Sequence, residues 1–151
     1  VTLHACGKFI SMKNSNECGY TLIMSTEIIG LSHLEREIIA NVVRYNIRDF
    51  DYDMMQLETE AGQDLAGVSD RTAITILIAK LTAILRLANS MDKTHKSKLI
   101  DCRMAVREGQ LVITTGYKGD LALESASFEQ KAAFFEEIFG IRPVLKQKRR
   151  V

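Results

Sequence analysis

The chain has 151 residues, of which 46% are hydrophobic and 26% charged, with a formal net charge of +1. That length fits about one domain with or without an appendage, and the composition supports a core of its own and excludes a disordered tail. The near-neutral balance argues against a dedicated nucleic-acid binder, and the absence of tryptophan with only 7% aromatic residues argues against a base-stacking platform. Cys6, Cys18 and Cys102 are odd in number and widely spaced, without a Cys-x-x-Cys pair. They read as buried free thiols in a cytoplasmic protein. No uninterrupted apolar run approaches the ~18 residues that span a bilayer, and no signal peptide is visible, so no membrane role is expected. The chain opens on Val1 inside an apolar segment, which reads as a piece of a longer protein.

Residues 3–12 form a short apolar segment interrupted at Gly7, and residues 13–16 are a polar break. Residues 17–25 can form a helix with Tyr20, Ile23 and Met24 on one side, and Gly30 stops the run at Ile28 and Ile29. Ser32-His33-Leu34-Glu35 has the form of a capping box, in which the serine hydroxyl accepts a first-turn amide while the glutamate reaches back. The helix it opens sets Leu34, Ile38, Val42 and Tyr45 on one stripe, with Glu35, Arg36, Arg44 and Arg48 nearer the polar side. Residues 49–67 are the least readable. Asp49, Asp51 and Asp53 alternate like calcium ligands, but the glycine and bidentate glutamate of an EF-hand loop do not follow. Gly62 and Gly67 precede no Lys-Ser or Lys-Thr pair, which excludes a P-loop.

Residues 70–91 are the strongest helix, capped by Ser69 or Asp70. Ile74, Leu77, Ile78, Leu81, Ile84, Leu85, Ala88 and Met91 make a wide stripe, expected at the centre of a bundle. The period then changes. Ile100, Cys102, Met104 and Val106 alternate with polar residues, as in a half-buried strand. Glu108-Gly109 signals a turn, and residues 110–117 a returning strand. A third strand is expected at residues 121–124. Ser127-Phe128-Glu129-Gln130 repeats the capping-box pattern and opens a helix whose face carries Phe128, Ala132, Phe135 and Phe139, stopped by Gly140. Residues 141–146 can add a last strand, followed by a basic tail. The expected fold is mainly α: a helical domain over residues 1–96, then a small α+β domain of hairpin, helix and strand over residues 97–151.

Three segments carry a resemblance. Leu3-His4-Ala5-Cys6-Gly7-Lys8-Phe9-Ile10-Ser11 resembles the His-Asp signature segment of HD-type phosphohydrolases. Leu31-Ser32-x-x-Glu35-Arg36-Glu37-Ile38-Ile39-Ala40 with Arg44-Tyr45-Asn46 is similar to a downstream helix of the exopolyphosphatase and guanosine pentaphosphate phosphatase (Ppx/GppA) family. Residues 81–95, from Leu81 through Arg86, Asn89 and Asp92 to His95, resemble that family's late helix. The resemblance implies the C-terminal region of such a phosphatase, with an HD-like bundle. It implies an actin-like N-terminal half elsewhere that binds magnesium and hydrolyses phosphoanhydrides. It also implies polyphosphate or another phosphorylated polyanion as partner, and a homodimer.

The signature is incomplete here. Ala5 stands where the paired aspartate belongs and has no oxygen to coordinate, and Asn89 replaces the late-helix aspartate with a weaker, neutral ligand. His4 alone survives, and one imidazole cannot build a metal centre. No catalytic residue, metal or cofactor is therefore assigned to this chain. His4 reads as a core or positioning histidine.

The remaining candidates are cations. Arg86 lies inside the most apolar helix, where a guanidinium needs an anionic partner or water. It is either an ion-paired structural residue or a phosphate clamp. Lys93, His95, Lys96 and Lys98 form the densest basic cluster, either a solvated linker or an anion-binding patch. Lys8, Lys13, Arg44 and Arg48 could extend it. Two alternatives stay open. One is an atypical metal-dependent phosphohydrolase built on His4 and Asp92. The other is a purely structural oligomerisation or regulatory domain, using the stripe of Phe128, Phe135 and Phe139 with Phe134 beside it.

Overall fold

The computed structural model describes residues 3–52, 57 and 70–148. Packing divides the chain into two compact units, residues 1–82 and 83–151. The division falls inside a helix, upstream of the boundary at residue 96 where the sequence changes period. Periodicity marks where helix gives way to strand, whereas the units follow which core each helical turn joins.

The first unit begins with a 3-10 turn at Cys6–Phe9, followed by α1 (Ser15–Ser25) and α2 (His33–Tyr45). Gly7 is where the 3-10 turn meets α1. A Cβ there would lie 1.8 Å from the Ser15 carbonyl oxygen, so only a hydrogen side chain allows the contact. The capping box opens α2 as expected. Ser32 Oγ accepts the Glu35 N–H at 3.2 Å, and Glu35 Oε2 accepts the Ser32 N–H at 2.8 Å. The Ser32 backbone and hydroxyl hold the Glu35 carboxyl below its ordinary pKa.

α2 buries two faces. Ala40 and Val43 join Ile23 in one cluster, flanked by Cys6, Tyr20 and Met24. Leu34, Ile38 and Val42 pack on Leu57, Ile74 and Ile78 in another. Each fully buried aliphatic side chain contributes about 1.5–3 kcal/mol. Between these faces Glu37 and Asn41 are also buried, a feature the single apolar stripe did not predict. Asn41 Nδ2 donates to the Glu37 carbonyl at 3.0 Å, which offsets part of the burial cost.

α3 runs over Asp70–Met91, with the expected bounds. Its burial differs from the expected stripe. Ile74, Ile78, Leu85 and Met91 are buried, together with Ala79, Ala83 and Leu87, whereas Leu77, Leu81 and Ile84 are exposed. The helix is apolar nearly all round, so periodicity could not choose the core face. From Arg71 to Met91 it is also long and apolar enough to cross a membrane by length and composition, which a search for an unbroken apolar run overlooked. A core helix passes the same test.

The second unit gathers Ala83, Leu87 and Met91 of α3 with Leu99, Ile113, Leu121, Phe128 and Phe135. β1 (Cys102–Arg107) and β2 (Gln110–Thr115) form an antiparallel hairpin. Glu108 (φ 51°) and Gly109 (φ 72°) make its two-residue turn in the left-handed region that matches strand twist. α4 (Ala122–Phe139) then crosses over to β3 (Arg142–Gln147), which pairs parallel with β2 and gives the order β1-β2-β3.

Two expectations fail here. Residues 121–124 are not a strand: α4 already begins at Ala122, where the Asp120 carboxylate accepts the Ala122 N–H at 2.8 Å. Ser127 consequently lies inside α4 and caps nothing. The buried positions Leu121, Glu124, Phe128, Ala132 and Phe135 follow helical spacing, and the glutamate in that stripe concealed the helix start. Gly140 ends α4 as expected, with φ 69° and its N–H on the Glu136 carbonyl. The fold is thus mainly α with a small three-stranded sheet.

Candidate anion-binding loop

The segment after α3 is shaped by one side chain. The Asp92 carboxylate accepts the Ser97 N–H at 2.8 Å, and the Asp92 carbonyl accepts the His95 N–H at 3.0 Å. These bonds hold His95 (φ 52°) and Ser97 (φ 50°) in the left-handed region, which is costly for residues other than glycine. A loop paid for in this way has a defined shape.

The loop is pinned from below by a buried carboxylate. Glu124 is 0% exposed. Its Oε1 accepts the Thr94 hydroxyl at 2.5 Å, and its Oε2 accepts the Lys98 ammonium at 3.1 Å. Lys98 Nζ also donates to the Asp120 carbonyl at 3.0 Å. The Thr94 hydroxyl, and after it Lys98, hold the Glu124 carboxyl at a pKa of about 2, against burial that pushes it up. Thr94 and Lys98 therefore face inward, while Lys93, His95 and Lys96 are exposed. Three basic groups stand on a loop whose backbone is fixed by two carboxylates. Exposed ammonium groups on a loop of defined shape can reach phosphate oxygens as charge-assisted donors.

The other sequence candidates are placed differently. Arg86 is 8% exposed, and its guanidinium lies over the Phe134 ring, 4.4 Å from the centroid. That cation–π contact answers part of its burial cost. Arg44 Nε and Arg48 Nη1 converge on one Glu17 oxygen, at 2.9 and 3.1 Å. Arg44 also covers the Tyr20 ring. Lys8 and Lys13 are exposed on the 3-10 turn and the turn before α1. The first unit thus carries Lys8, Lys13, Arg44 and Arg48, and the second carries Arg86, Lys93, His95, Lys96 and Lys98.

His4 and Asn89 are half-buried, each with an interaction of its own. Asp92, the alternative ligand, spends its carboxylate on the loop. Among the described residues, no three of His, Cys, Asp and Glu come together as metal ligands.

Sequence reading missed Glu124 and Thr94. Glu124 sits between Leu121 and Phe128 on the helical stripe, and that spacing was the available signal. It also missed an open depression of about 520 Å³ beside the hairpin, lined by Asp101, Arg103, Thr114 and Lys148.

The sequence profile of Ppx/GppA phosphatase, domain III, matches residues 1–132. No curated protein matches the chain.

Proposed function

Because the chain belongs to the Ppx/GppA phosphatase family, as its domain III, we propose that it is a non-catalytic part of an exopolyphosphatase-like phosphatase that holds or steers polyphosphate. The observation that carries this reading is the loop of residues 93–98, which presents Lys93, His95 and Lys96 to solvent on a backbone fixed by Asp92 and Glu124. Within the second unit Lys98 serves the reading by anchoring the loop and Arg86 packs on Phe134, while Lys8, Lys13, Arg44 and Arg48 are further candidate anion contacts on the first unit, considered by itself. Phosphoanhydride hydrolysis, with its magnesium, is assigned to an actin-like half of the parent protein. The reading includes self-association of the parent and a cytoplasmic setting, in keeping with three free cysteines.

A purely structural domain is the second reading, favoured by the engagement of Arg44, Arg48 and Lys98 in ion pairs. Retention of labelled polyphosphate by the purified chain in a low-salt filter assay separates the two. Retention without phosphate release is expected. No retention at low salt removes the steering role, and phosphate release on adding magnesium or manganese, with a stoichiometric bound ion, replaces it by metal-dependent hydrolysis around His4 and Asp92.

A further inference from the structure

β1 was expected to be half-buried, and it is not. Every residue from Arg103 to Arg107 is exposed. Met104 and Val106 are 60% and 64% exposed, although the register sets them opposite Ile113 and Leu111 on the side of the sheet that faces the core. α4 packs against β3, at the far side of the sheet. The apolar face of the sheet therefore continues past the cover of its helix onto an edge strand. Among the described residues no strand pairs with the outer side of β1.

The direction of the backbone groups at that edge follows from the turn. In a hairpin closed by two residues, the flanking pair exchanges both ladder hydrogen bonds. Here that pair is Arg107 and Gln110. Arg103, Ala105 and Arg107 thus spend their N–H and C=O groups on β2, and Cys102, Met104 and Val106 turn theirs to the open edge. The opposite edge strand, β3, carries Pro143, a residue that discourages strand addition. β1 has no proline.

We propose that β1 pairs antiparallel with β1 of a second copy of this chain, about a two-fold axis through Met104. This register sets Met104 opposite Met104, Cys102 opposite Val106 and Arg103 opposite Ala105. It also sets Asp101, next to the strand, opposite Arg107 at both ends. Each pair formed by Cys102, Met104 and Val106 exchanges two hydrogen bonds from groups that already point outward. The charges select this register over its neighbours. An axis through residue 103 or 105 places Arg103 opposite Arg103 or Arg107, and centres the ladder on residues whose backbone groups are already used. An axis through residue 102 shortens the strand overlap, and one through residue 106 runs the ladder into the turn at Glu108. The two-fold also joins the exposed Met104 and Val106 side chains of both copies into one apolar strip, which gives a reason for their presence on an edge.

The pairing deepens the self-association in the reading above and is independent of anion binding. Sedimentation velocity of the whole chain over a concentration series tests it, with three variants: Asp101→Arg, Arg107→Asp and the double swap. The wild type is expected to dimerise reversibly. Each single reversal sets like charges opposite at two symmetric places and weakens association about tenfold, and the double swap restores it. Hydrogen exchange on the unmodified protein supplies a second readout. The amides of Cys102, Met104 and Val106 gain protection as concentration rises. A dimer indifferent to both single reversals, or one without protection at those amides, overturns the edge pairing and leaves self-association standing. A monomer at every concentration overturns both.

Discussion

Replacing Glu124 by Ala removes the one carboxylate that ties the loop to α4. It leaves the Lys98 side chain, 14% exposed, with only the Asp120 carbonyl, and leaves the Thr94 hydroxyl without its acceptor. Breaking a buried pair from one side costs about 3–5 kcal/mol, because the surviving charge stays buried. The same bonds hold its carboxyl at about 2 instead of 4.5, so the anchor is pH-dependent as well as strong. The folded-state pKa is the depressed one. This stability is therefore fully present above about pH 4.5 and is lost progressively as pH falls toward about 2. Urea unfolding at pH 7 should show Glu124→Ala to be about 3 kcal/mol less stable than the wild type, with the gap closing across that acid window. Glu124→Gln, which keeps the shape and an acceptor but not the charge, should fall between the two. A loss below about 1 kcal/mol at pH 7, the value of an exposed ion pair, or parallel pH profiles for wild type and variant, would refute the buried anchor.

Two further substitutions probe the first unit. Ser32→Ala removes the capping box and should cost about 1 kcal/mol in urea unfolding; no change would mean that the α2 terminus is held by packing alone. Gly7→Ala drives a methyl into the Ser15 carbonyl and should cost about 3 kcal/mol, which for a chain of this size lowers Tm by roughly 6–12 °C. Gly116→Ala, where nothing lies within 4 Å, is the matched control and should leave Tm unchanged.

The elements that could be read from sequence were those in which local chemistry and burial agree. The serine–glutamate pair at residues 32 and 35 opened α2, Glu108-Gly109 closed the hairpin, and Gly140 ended α4, because each of these residues acts within one turn of the chain. The misreadings have one cause. Where a segment is apolar on several sides, as in α3, or where a buried polar residue interrupts the stripe, as Glu124 does in α4, periodicity no longer identifies the face that packs. Long-range partners decide it instead. Glu124 is satisfied by Thr94 and Lys98, thirty and twenty-six residues away. Arg44 and Arg48 show the same limit, since Glu17 that binds them lies in a different helix. The basic loop itself was legible as a cluster. Its division into inward anchors and outward cations was not, because it depends on two left-handed residues and on Asp92. Asp53 of the calcium-like triad lies outside the described residues, as do Gly62, Gly67 and the cap candidate Ser69.

Polyanion binding by the loop is tested most directly by calorimetric titration of the whole chain with linear polyphosphate at two salt concentrations. Engagement of Lys93 and Lys96 predicts measurable binding at 50 mM salt that weakens roughly 7-fold at 200 mM, since each phosphate contact contributes about 0.7 to the logarithmic salt slope on a single-stranded polyanion. Lys93→Glu with Lys96→Glu should abolish the binding and leave the far-UV spectrum unchanged. No heat at the lower salt, or an affinity that survives the double reversal, would contradict the assignment of this loop.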